Sequence, residues 1–251
     1  MKKRLFSLIL CLSLLAGLLA LPVGAYSADQ LNTADALYQL GLFLGTGTTY
    51  ALDENLTREQ GITLLIRMLG REQEALNGSW KHPFVDVSAW AAPYVGCAYE
   101  SKITDGTAAT RFSGSAPMTD QMFLTFCVRA LGYADKSASP DFSYDDVRSF
   151  AKSLGLTDST AKDDSFTRGE AVQVFWRALN TKIKGSTRTL AETLTARGVF
   201  SKADWEKAAG IHTSGKAEDD PTGEQSSEPA EEPQPGSPLP HSSYETPPIV
   251  F

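Results

Sequence analysis

Apolar residues recur with a helical period in three windows that align without gaps: Leu56–Gly70 (LTREQGITLLIRMLG), Met118–Gly132 (MTDQMFLTFCVRALG) and Phe166–Asn180 (FTRGEAVQVFWRALN). In the first, Ile62, Leu65, Ile66 and Leu69 occupy the i, i+3, i+4, i+7 positions of one helical face. The same columns hold Leu124, Cys127, Val128 and Leu131 in the second window, and Val172, Phe175, Trp176 and Leu179 in the third. The pattern predicts three amphipathic helices that share one buried stripe. It makes Cys127, in the column of Leu65 and Phe175, a core thiol rather than a reactive one.

The ends of these helices are also written in the chain. Thr57 with Gln60, and Thr167 with Glu170, fit the capping box, in which the Thr and the N3 side chain satisfy exposed amides reciprocally. Thr119 can cap, but Met122 has no group to reach back. Gly70 and Gly132 are suited to a left-handed stop. A shorter helical pattern lies upstream of each window: Ala34–Leu44, Trp90–Ile103 and Val147–Leu156. Each unit reads as helix, long loop, capped helix, over about 28–76, 83–137 and 141–183. None buries its stripe alone, so three together are expected to close a common core. Leu190–Arg197 and Lys202–Ala209 read as closing helices within 188–211, with Trp205 as a packing aromatic. The expected fold class is all-α.

Composition divides the chain further. Lys2, Lys3 and Arg4, the apolar run Leu5–Leu21 and the small residues Val23-Gly24-Ala25 read as a secretory signal peptide over 1–25, with no membrane segment after cleavage. Lys216–Phe251 holds eight acidic residues against one basic, and eight of the thirteen prolines. Residues 214–251 therefore read as a disordered acidic tail. These two ends carry opposite charge, so the overall −7 leaves the body, 26–213, only mildly acidic. That gives no electrostatic footprint for nucleic acid.

Candidate chemistry is sparse. Cys97 and Cys127 alone survive signal removal, and His82, His212 and His241 are scattered, so neither a disulfide framework nor a metal site is indicated. Ser149–Lys152 and Ser159–Lys162 match S-x-x-K, without the accompanying S-D-N or K-T-G. No G-x-S-x-G, P-loop or H-E-x-x-H is present. The chain reads as a non-enzyme that needs no cofactor.

The second unit, PFVDVSAWAAPYVGCAYESKITDG followed by RFSGSAPMTDQMFLTFCVRALGY, resembles an S-layer homology repeat. The carriers are an F-x-D-V opening, an aromatic before the first helix, a loop with Phe, and a Thr-started helix ending R-A-L-G. The family's T-R-A-E motif is matched by Thr57-Arg58-Glu59-Gln60 and Thr167-Arg168-Gly169-Glu170. The resemblance covers about Ala28–Asn180. The first unit lacks a clear F-x-D-V, and the third keeps Tyr144-Asp145-Asp146-Val147. It implies a pseudo-threefold helical domain, secreted and held at the cell wall. Its partner would be a secondary cell-wall polysaccharide linked to peptidoglycan, often one ending in a pyruvylated amino sugar. It also nominates Arg58 and Arg168, with Thr57 and Thr167 beside them, as the ligand-binding residues. Asp120 replaces the arginine in the second unit.

Elementary electrostatics points the same way. A cation in the first turn of a helix faces the positive end of the macrodipole, an effect of about 0.3–1 kcal/mol. An anion bound there would relieve it, taking exposed amides and the guanidinium together. Arg67, Arg129 and Arg177 sit at helix C-termini and read as structural. Asp86 and Asp146 read as helix caps, and Trp90 and Trp176 as core. The rival reading is an envelope interaction module whose sugar grooves have decayed, favoured by Asp120.

Overall fold

The computed structural model describes residues 26–161 and 166–214, so the expected signal peptide and most of the expected tail lie outside the described residues. Nine helices cover them: α1 (Ala28–Gln39), α2 (Arg58–Met68), α3 (Glu72–Asn77), α4 (Ala92–Glu100), α5 (Asp120–Ala130), α6 (Val147–Ser153), α7 (Arg168–Leu179), α8 (Leu190–Ala196) and α9 (Lys202–Ser214). Strand pairing among them is confined to isolated bridges. The fold is all-α, and no described helix is long and apolar enough to cross a membrane.

The three capped helices α2, α5 and α7 each touch the other two. All twelve residues of the aligned apolar columns are buried, including Cys127 and Trp176. The two described thiols are free and buried, and burial pushes both upward in pKa. Both capping boxes form. The Gln60 and Glu170 amides donate to the Thr57 and Thr167 hydroxyls at 3.3 Å, and the reciprocal bonds are 2.9 and 2.6 Å. Thr119 caps through the Met122 amide alone.

The shorter helices differ from expectation in extent. The expected 34–44 helix is α1, which starts at Ala28 under a Ser27–Gln30 capping box and stops at Gly41, whose φ of +69° turns the chain. Leu44, taken as its last apolar position, is instead 45% exposed. Trp90, read as core, lies ahead of α4 and is 44% exposed. The short α3 was not anticipated.

Each of these three capped helices also packs against a helix outside the trio. The capped α2 lies against α4, and α5 against α6, while α7 at the far end lies against α1. The N-terminal helix is thus the partner of the last capped helix, which ties the chain's ends together. α8 packs on α7 and α9 on α1. Trp205 of α9 stacks on Trp176 at 5.2 Å, and His212, one residue type the pattern left unassigned, stacks on the same indole at 4.6 Å.

Gly70 has φ +65°, and a Cβ there would lie 2.5 Å from Val199 Cγ1. Gly70→Ala should therefore lower stability by more than the roughly 1–2 kcal/mol that left-handed backbone costs by itself. Gly185→Ala, at φ +71° with open space around it, should show only that backbone cost. Urea denaturation of the two variants measures the difference.

Candidate functional site

Each T-R start sits on a loop from elsewhere in the chain. The Arg58 and Glu59 amides donate to Ala116 O and Gly114 O, both at 3.0 Å, and Met118 N returns a 2.7 Å bond to Leu56 O. The Arg168 and Gly169 amides donate to Glu54 O at 2.9 Å and Leu52 O at 2.8 Å. Gly169 stands where the T-R-A-E motif has alanine because a Cβ would lie 2.9 Å from Gln30 of α1 and 3.0 Å from Leu52 O. The expectation that a bound anion takes free amides at these helix starts is therefore corrected. The first-turn donors already have carbonyl or capping partners, and the Thr57 and Thr167 hydroxyls are engaged as caps.

The two guanidiniums remain. Arg58 is 4% exposed; its Nε donates to Phe112 O at 2.9 Å, and its guanidinium carbon lies 4.8 Å from the Phe112 ring centre and 5.4 Å from that of Phe126. Arg168 is 5% exposed; its Nε donates to Tyr50 O at 3.1 Å, and it lies 5.2 Å from the Phe43 ring centre. Neither has a carboxylate within 4.0 Å among the described residues. Burial, the largest influence, pushes the Arg58 guanidinium down to about 10, with Tyr144 and Asp86 opposing and Arg129 adding to it. Arg168 is lowered as well, again chiefly by burial, with Glu54 opposing and Arg67 adding. A guanidinium is not deprotonated in proteins, and a buried charge without a counter-ion is costly.

Each buried arginine has a second one nearby, which periodicity did not reveal. Arg67 and Glu72 share with Arg168 a cavity of about 50 Å³, closed by the Gly41–Gly45 turn and Leu64. Arg67 is held by Glu72 at 2.7 Å, and its guanidinium lies over the Tyr94 ring. Arg129, in the same column of the repeat, pairs with both oxygens of Asp135 and with Asp105, and donates to Ile103 O. Arg177 pairs with Asp158. The structural role expected of these three arginines is visible in those pairs, yet Arg67 also lines the Arg168 cavity.

The second unit's start is different in kind. Asp120 receives two parallel bonds from Arg148 of α6, Nε to Oδ2 at 2.6 Å and Nη2 to Oδ1 at 2.7 Å. Where the other starts bury a cation lacking a carboxylate, this one supplies the carboxylate itself.

Asp86 and Asp146 do not cap helices through their side chains. Asp86 accepts from the Phe112 and Ser113 amides at 2.8 and 3.0 Å, fixing the loop whose carbonyl holds Arg58. Those amides hold its carboxyl below its usual range. Asp146 accepts from the Ser143 hydroxyl, and no side-chain bond caps α6. A sequence signal for Asp86 exists in the F-x-D-V opening, but its loop partner is 26 residues away.

No family model matches the chain. It is 31% identical over 158 residues to the middle cell wall protein of Brevibacillus brevis, covering 61% of this chain and 15% of that protein. It is 29% identical over 187 residues to a cell surface protein of Thermoanaerobacter kivui, covering 71% and 24%. It is 30% identical over 104 residues to an endoglucanase of a Bacillus species, covering 41% and 11%. The chain thus spans less than a quarter of the length of each of these relatives.

Two outcomes follow from the site's geometry. Asp120→Ala and Arg148→Ala should each destabilise the protein, and a double-mutant cycle should return a coupling of about 1.5–3 kcal/mol for the charged, two-bond pair. Asp86 has a lowered folded pKa, so its contribution is present above its unfolded pKa near 4 and is lost as pH falls through the folded value. Asp86→Asn should therefore be less stable than the parent at about pH 7, and the two should converge at about pH 2. Denaturation midpoints across that range check it.

Proposed function

We propose that residues 26–213 hold the protein at the cell wall by non-covalent binding of an acidic secondary cell-wall polysaccharide, with Arg58 and Arg168 gripping a pyruvylated sugar end. The observation that carries the reading is the pair of buried guanidiniums with no carboxylate within 4.0 Å among the described residues. A ligand acid would supply the missing counter-charge through short, paired bonds. Size agrees with that role: the cavity of about 50 Å³ at Arg168 has room for a small group beside the guanidinium. Phe43 and Leu44 in the cavity wall would meet the methyl of a pyruvyl ketal, while the ring stays outside. Thr57 and Thr167 act here as caps that hold the two arginine starts, and the acid engages the guanidiniums rather than the helix amides. Two acid-binding starts and one self-neutralised start are the working assignment for three S-layer homology-like units.

The relatives support the setting. Two are named for the cell wall and the cell surface, and a third, similar over 41% of this chain, is named for a different activity, an endoglucanase. Partial likeness to proteins so differently named suits a module that fixes location rather than one that performs catalysis.

One observation favours a second reading. Arg58 and Arg168 are 4% and 5% exposed and already touch carbonyls and aromatic faces, so they would also serve as rivets between units in an envelope interaction module. Co-sedimentation with purified cell-wall sacculi separates the two. The protein should pellet with intact sacculi and stay in solution after the secondary polysaccharide is stripped chemically. The double variant Arg58→Gln, Arg168→Gln should lose at least about tenfold in affinity, or about 1.4 kcal/mol, while keeping its helical circular dichroism. A folded variant that binds undiminished, or binding that survives stripping, rejects the acid-binding reading.

A further inference from the structure

A cavity of about 380 Å³ is formed by α7, α1, the last turn of α9 and the Leu154–Gly155 turn after α6; neither Arg58 nor Arg168 lines it. Its volume falls within the range of about 300–1,000 Å³ typical of small-molecule sites. The polar side chains around it are tied to the protein by one bond each or more. Gln173 Nε2 donates to Asp29 Oδ2 at 2.7 Å, and Asn180 Nδ2 to Trp176 O at 3.0 Å. The Thr33 hydroxyl donates to Asp29 O at 2.6 Å, and that of Thr181 to Arg177 O at 2.9 Å. Each amide nitrogen keeps a second N–H, while the amide oxygens of Gln173 and Asn180 and the lone pairs of both hydroxyls are acceptors, so the lining can both donate and accept.

Charge sharpens the selection. Arg177, which also lines the cavity, is paired with Asp158, and Asp29 adds a carboxylate, so the lining is close to neutral. Aromatic lining comes from Trp176 and from His212, whose ring is stacked on that indole. Mixed donors and acceptors beside aromatic rings match a molecule whose hydroxyls both donate and accept and whose remaining surface is C–H. We propose that this cavity binds a neutral, hydroxyl-rich sugar ring, at a site distinct in place and in charge preference from the arginine starts. The proposal stands independently of the acid-binding reading, since it uses none of the same residues.

Trp176 makes the site observable. Titration of the chain lacking residues 1–25 with glucose, N-acetylglucosamine and N-acetylmannosamine should give a saturable change in tryptophan fluorescence for at least one of them, with a millimolar midpoint. In the same unmodified protein, amide shifts in heteronuclear NMR should concentrate at Thr33, Asn180 and Thr181. The near-isosteric double variant Thr33→Val, Thr181→Val should weaken the response at least about tenfold. Arg58→Gln, Arg168→Gln should leave it unchanged, which keeps failure here distinct from failure of the acid site. No saturable response to any of the three sugars overturns the proposal. So do shifts that map elsewhere, or a response that follows the arginine variant instead.

Discussion

The fold depends on how a helix start is satisfied. Four amides at the beginning of any helix lack internal partners, and burying them unpaired would cost more than most side-chain contacts return. Here α2 and α7 solve the problem in the same way. The Thr hydroxyl takes one amide, the N3 side chain takes the N-cap amide, and the two amides between them reach carbonyls on a loop from another part of the chain. The cap of one helix is therefore also the joint to a neighbour. Arg58 and Arg168, each carried on one of these joints, extend the contact with a guanidinium laid on an aromatic face and tied to a carbonyl.

That arrangement leaves a positive charge out of water at each joint. Carbonyl and aromatic partners offset part of the desolvation cost, and burial lowers the pKa of both groups. The Asp120 start shows the contrasting solution, in which the chain provides its own carboxylate–guanidinium pair. The three starts thus share a scaffold and diverge in electrostatics, so a common helical frame can hold an unpaired charge at some positions and neutralise it at another. Asp86 belongs to the same system at one remove: it holds the loop that holds Arg58.

Much of this was legible in the chain. The apolar columns identified the three buried helices because a 3.6-residue period is a local property, and the capping boxes were legible because both partners lie within one turn. Arg58 and Arg168 were nominated by the likeness to the T-R-A-E motif and by their charge in the first helical turn. Their environment was misjudged: the first-turn amides looked available because the carbonyls that meet them, in Leu52–Glu54 and Gly114–Ala116, are far away in sequence. Leu44 and Trp90 were misassigned for a related reason. Apolar spacing continued past a helix end that Gly41 imposes, and an aromatic near a helix was taken for one within it.

By itself the sequence determined the helical class, the three capped segments and the residues of the shared stripe, since each is set by contacts between residues a few positions apart. Tertiary structure decided which helix lies against which: α1 closes on α7, 128 residues after it ends, and no periodicity encodes such a choice. It also decided that Arg67 faces Arg168 and that Asp86 grips the Phe112 loop. Those meetings depend on where the chain returns after a long excursion, and that is settled by burial of the common core rather than by any local pattern.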